Sequence, residues 1–223
     1  MTRAKFLFPV VVLGLTLSSC TSAVDSVITA YNLANTGYHA YYTHKLWESL
    51  KTAEPIFAGY DCVKVQALVL PAEGEDIQKV RNAFVDNFKY IVRKDLEAAR
   101  LDNIKVCTDE GCECNGKTLI VQFREKGYKD DILHKITVGS KLRGELLYID
   151  GETGKVIRKD NLELAKNYEQ LLWEIHLSVG SKAVKTFETL HPNAGKELEQ
   201  VVADFNKINP VKPEYKELFE KTR

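Results

Sequence analysis

Most of the features that announce a chemistry are missing from this sequence. It has no excess of either charge, with 31 basic and 31 acidic side chains in 223 residues. General nucleic-acid binding, which needs a basic face, therefore has no support. It has 6 prolines and 13 glycines, too few for a collagen-like or low-complexity chain. No apolar run approaches the roughly 20 residues that span a bilayer. There is no Gly-x-Ser-x-Gly, no Glu-bearing His-x3-His pair and no Cys-x-x-Cys, so the commonest serine-hydrolase, zinc-protease and dithiol patterns are absent. Gly151-Glu152-Thr153-Gly154-Lys155-Val156 lacks phosphate-loop spacing and precedes a strand pattern, not a helix. No cofactor is expected. What remains is ordinary globular composition, 44% hydrophobic and 28% charged, enough for one domain with extra segments.

The amino-terminal residues carry the sharpest signal. Arg3 and Lys5 precede an uncharged run from Phe6 to Leu17 that is too short to cross a bilayer. Charge, short apolar stretch and small residues is the order of a secretory signal peptide. The run ends in Leu17-Ser18-Ser19-Cys20, which resembles the lipobox of bacterial lipoproteins. That resemblance implies removal of 1–19, acylation of the Cys20 thiol with diacylglycerol, and often acylation of the new amine. Two or three acyl chains hold firmly where one does not, at about 0.8 kcal/mol per buried methylene. Thr21 stands where Asp retains enteric lipoproteins in the inner membrane, so it resembles the outer-membrane class. The expected location is the bacterial cell envelope, on the outer membrane facing the periplasm. Subtracting Arg3 and Lys5 leaves 29 basic against 31 acidic side chains.

Beyond Cys20 the patterning alternates between helix and strand. A tyrosine-rich amphipathic helix is expected over 22–51, packed on the body but not needed for its fold. Residues 61–70 read as a strand, 75–99 as a long helix with Ile77, Val80, Phe84, Phe88, Ile91, Val92 and Leu96 inward, and 103–108 as a second strand. Strand, helix, strand implies a parallel pair. A third strand is expected at 117–124, a loop at 127–137, and a hairpin of 141–150 and 155–158 about a turn at 151–154. Helices follow at 163–189 and 196–207, then a proline-spaced linker to a charged end. The fold class is α/β (α+β): a two-layer sandwich, one mixed five-stranded sheet with helices mainly on one face. The expected division is 1–19 signal peptide, 20–52 tether and tyrosine helix, 53–190 α/β domain, and 191–223 carboxy-terminal helix and tail.

The strand Leu142 to Asp150 with Thr153-Gly154-Lys155-Val156 carries a second resemblance. With the lipobox it is similar to bacterial envelope lipoproteins of unknown function, and more distantly to lipoprotein activators of peptidoglycan synthases and the amino-terminal domain of the Tol-system β-propeller protein. It implies an envelope accessory role and transfers no functional residue.

Four cysteines follow Cys20: Cys62, Cys107, Cys112 and Cys114. An even number in an exported chain suggests disulfides. Cys62 opens the first strand and Cys107 closes its parallel neighbour, which should place them a strand length apart. One local bridge is therefore expected, from Cys107 to Cys112 or Cys114, with Cys62 unpaired. The alternative is a metal or redox site on the Cys107/Cys112/Cys114 turn, completed by carboxylates or His134, although structural zinc usually has tighter ligand pairs. His39, His44 and His191 form no pattern, and His176 reads as a partly exposed structural residue. Two functions stand: a non-catalytic module docking an envelope protein through its sheet edge or tyrosine helix, or a metal-binding or redox lipoprotein. Catalytic residues are not expected.

Overall fold

The computed structural model describes residues 41–42, 44–71, 74–109, 111–129, 141–165 and 167–220. Cys20, His39, His134 and the expected signal peptide lie outside them. Helical residues 41–42 and 44–50 form α1. Then come β1 (Cys62–Leu68), α2 (Glu75–Ala98), β2 (Lys105–Cys107), β3 (Thr118–Lys129), β4 (Lys141–Asp150) and β5 (Val156–Ala165), followed by α3 (Tyr168–Leu190), α4 (Gly195–Phe205) and, after a 3₁₀ turn, α5 (Lys216–Glu220). The five strands form one mixed sheet in the order β2-β1-β3-β4-β5. β1 is parallel to both β2 and β3, and the β3–β4 and β4–β5 pairs are antiparallel.

Alternation divides the sheet. Val63, Val65, Leu119, Val121, Phe123, Leu142, Leu146 and Tyr148 are buried in the core. Phe84 and Phe88 of α2 meet Phe123 with ring centroids 4.8 and 6.0 Å apart. The opposite face is polar, with Gln122 donating to Gln66 at 3.0 Å and Lys126 paired to Glu145. Ile77 departs from the expected stripe: it lies exposed in the first turn of α2, while Arg81 is buried.

Element boundaries in the second half of the sheet differ from the sequence reading. β3 runs to Lys129 because a bulge between Glu125 and Gly127, with Gly127 at φ 76°, absorbs the register shift. β5 continues to Ala165, pairing Leu162 with Gly144 and Ala165 with Leu142, so the helix expected from 163 starts at Tyr168. Asn167 sets that start: its side chain accepts from the Gln170 amide at 2.8 Å, a strong N-cap.

The core also crosses the expected segment boundaries at 52/53 and 190/191. Tyr42, Leu46 and Leu50 belong to it, and so do Val201, Val202, Phe205 and Phe219. Tyr42 stacks on Trp173 at 4.7 Å, whereas Tyr41 and Trp47 face outward. The proline-spaced linker is pinned to α2: the Lys212 amide donates to Asn87 at 2.7 Å, and Lys212 and Tyr215 both meet Asp86. Among the described residues no helix is long and apolar enough to cross a membrane.

Candidate functional site

The cysteines converge at one end of the sheet. Bridges join Cys62 to Cys114 and Cys107 to Cys112, with Cα–Cα distances of 5.6 and 5.4 Å. Cys62 is therefore paired, contrary to the expectation from strand direction. The direction is parallel as expected, but β2 has only 3 residues. Cys62 lies opposite Lys105 and Cys107 opposite Lys64, so start and end of these strands are neighbours. The loop returns through Gly116 at φ 90°, where a Cβ would lie 2.5 Å from Asp61 Oδ2. Asp61 instead accepts from the Lys117 amide at 2.9 Å.

A polar cleft of ≈ 200 Å³ lies between residues 49–54, β5 and α3. Lys182 Nζ donates to Asp160 Oδ2 at 2.6 Å, and Ser178 Oγ donates to the same oxygen at 2.5 Å. Arg158 bridges Asp160 Oδ1 at 3.0 Å and Glu54 Oε1 at 3.1 Å. The four-residue step from Ser178 to Lys182 puts both on one face of α3. A serine beside a carboxylate and a lysine invites a nucleophilic reading, for which Asp160 is ill-suited as the base. Burial raises the Asp160 carboxyl, yet Lys182, Ser178 and Arg158 together hold it below its ordinary range, which makes it a weak base. Burial lowers the Lys182 ammonium against the pull of Asp160. The cleft is an ion-paired seam joining α3 to β5 and to the segment after α1. Sequence reading missed it because Asp160 fell beyond the expected end of its strand.

His176 is buried, not partly exposed. Its Nδ1 lies 2.7 Å from Asp95 Oδ1, and its ring stacks on Phe205 at 4.0 Å. Asp95 Oδ2 is buried without a hydrogen-bond partner among the described residues. Burial pushes the Asp95 carboxyl up to about 6, against the opposing effect of His176. The unfolded chain titrates this group near the ordinary value of about 3.9. The folded chain therefore binds the proton more tightly, and this contribution to stability is fully present below about pH 4 and lost as pH rises through 6. Wild type should gain about 2 kcal/mol on Asp95→Asn between pH 7 and 4.5. Urea melts of both proteins at the two pH values measure the gap; a constant gap means an ordinary carboxyl.

The Asp-x-x-Thr-Gly-Lys hairpin is a turn lock. Asp150 Oδ1 accepts from the Thr153 amide at 2.8 Å and from its hydroxyl at 2.7 Å, and Tyr60 donates to Oδ2 at 3.2 Å. Gly154 adopts φ 67°, which favours glycine. These side chains are spent on shaping the backbone.

No family model and no curated protein matches the chain. Among solved structures it is similar to a PelC dodecamer from Paraburkholderia phytofirmans, at 14% identity over 60% of this chain and 92% of that one, with a TM-score of 0.32. A likeness of that degree carries no inference about activity. The sheet has two edges among the described residues, β2 and β5, each pairing with one strand; β2 has 3 residues and β5 has 10.

Proposed function

We propose that the chain is an envelope lipoprotein, acylated on Cys20 and held at the outer membrane, whose α/β body is a non-catalytic accessory module that docks another envelope protein. The observation that carries this reading is the sheet edge. β5 is a 10-residue edge strand, and its first two residues, Val156 and Ile157, are 46% and 40% exposed. An unpaired edge accepts an extended segment by adding a strand, with backbone hydrogen bonds for affinity and side-chain contacts for selectivity.

Two experiments test the reading. A photo-crosslinker at Ile157 of the chain in bacterial envelopes should capture one protein that the same group at exposed Asp102 does not; capture from both positions alike, or from neither, removes the edge as the docking surface. Cys20→Ala should move the chain wholly from the membrane fraction to the soluble fraction and abolish acyl labelling. A variant still found with membranes and still labelled means that the anchor is elsewhere.

A further inference from the structure

We propose that Cys62, Cys107, Cys112 and Cys114 form a redox-gated site for a thiophilic cation of the Zn²⁺ class: two disulfides in the oxidised chain, four thiolates around one ion in the reduced chain. The site draws on β1, β2 and the loop after β2. The sulfurs of Cys62, Cys107 and Cys114 all lie within 4.8 Å of one another, and Cys112 is bonded to Cys107. Zinc holds four thiolates tetrahedrally with Zn–S near 2.3 Å, which separates the sulfurs by about 3.8 Å. Cys62 Sγ and Cys107 Sγ are not bonded to each other, yet they stand 3.8 Å apart. The two strand sulfurs thus already have the spacing of one edge of such a tetrahedron.

The other two sulfurs can reach the remaining corners. Cys62 and Cys107 are buried on hydrogen-bonded strands, whereas Cys112 and Cys114 are half-buried on a loop without regular structure. Opening each bridge from about 2 Å to about 3.8 Å parts its two sulfurs by less than about 2 Å, and Cys112, which stands outside the 4.8 Å cluster, must also turn its sulfur toward Cys62 and Cys114. Four thiolates and Zn²⁺ carry a net charge of −2, and Lys105 Nζ already sits over this loop, donating to the Glu113 carbonyl at 2.8 Å. The chemistry balances with a phosphine as reductant. Each of two phosphines takes the oxygen of one water and supplies two electrons, breaking one S–S bond into two thiols. Zn²⁺ then displaces four thiol protons as four Zn–S bonds form. The inference is independent of docking at β5.

The test uses the full chain carrying Cys20→Ala, so that these four are its only thiols. It is reduced with a phosphine without oxygen, freed of reductant, and titrated with Co²⁺ and then Zn²⁺. The reduced chain should take up about one equivalent of Co²⁺ with strong thiolate charge-transfer absorption, lose that signal to Zn²⁺, and keep all four thiols protected from alkylation. Cys62→Ser should weaken binding by at least about tenfold, and the oxidised chain should bind neither ion at the cluster. Circular dichroism follows the fold throughout. The proposal is overturned by a reduced, folded chain that binds less than half an equivalent, by Cys62→Ser binding as tightly as its parent, or by a reduced chain that unfolds and is not restored by zinc.

Discussion

Gly180→Ala is expected to destabilise the protein by about 1–3 kcal/mol, although it places the best helix former in the middle of a helix. Alanine there should gain up to about 1 kcal/mol in an isolated helix. Here a Cβ would overlap Cε2 and Cζ of Phe205, so the ring or α4 must shift. Phe205 also stacks on His176, so its displacement uncovers the buried Asp95–His176 pair. Phe205→Ala should cost about 3–5 kcal/mol from lost burial and the cavity it leaves. The two changes should couple strongly: with Phe205 already alanine, Gly180→Ala should become neutral or stabilising. Urea denaturation of both single variants and the double variant measures the cycle. Additive effects would show that Phe205 does not occupy the space above Gly180.

Arg81→Met should be at least as damaging, at about 3–5 kcal/mol. Arg81 Nη2 donates to Glu125 Oε1 at 3.1 Å, and its Nε donates to the Tyr168 hydroxyl at 2.9 Å. Tyr168 in turn donates to Glu125 at 2.8 Å, and the Leu70 amide donates to the second carboxylate oxygen at 2.8 Å. Glu125 is buried, so removing the guanidinium leaves a charge in low dielectric with hydrogen bonds but no counter-ion. The double variant Arg81→Met/Glu125→Gln should regain part of the lost stability, because it leaves no unpaired buried charge. Thermal and urea melts of the two variants test both statements; a double variant no more stable than Arg81→Met would show that the stranded carboxylate is not what costs stability.

The network also shows why this end of the sheet was hard to read in sequence. Arg81 and Glu125 are 44 residues apart, and each has unremarkable neighbours. Arg81 lies one residue after Val80 in the stripe of α2, where charge suggests a solvated position. Its burial follows from the reach of β3 beyond the expected end at 124, because the bulge after Glu125 keeps the chain in the sheet. The same long-range pairing governs β5. Asn161 to Ala165 can suit either strand or helix, and the partner β4 selects strand.

Features that repeat locally were legible in the chain alone. The three- and four-residue recurrence of Val80, Phe84, Phe88, Ile91, Val92 and Leu96 suffices for α2, because one face of a helix must meet the core. The alternation from Leu142 to Tyr148 suffices for β4, because successive side chains point to opposite faces. The α/β class and the mixed five-stranded sheet follow from the order of such elements. Packing settled whatever depends on which strand lies next to which, and how long each is. A β2 of 3 residues brings Cys107 beside Cys62 and pairs a cysteine expected to be alone. The close approach of Phe205 explains the glycine at 180, and α3 passes through it unbroken. Asp95 meets His176 across 81 residues because α2 and α3 share one face of the sheet. Period is written in neighbouring residues, whereas contact between distant residues exists only once packing has brought them together.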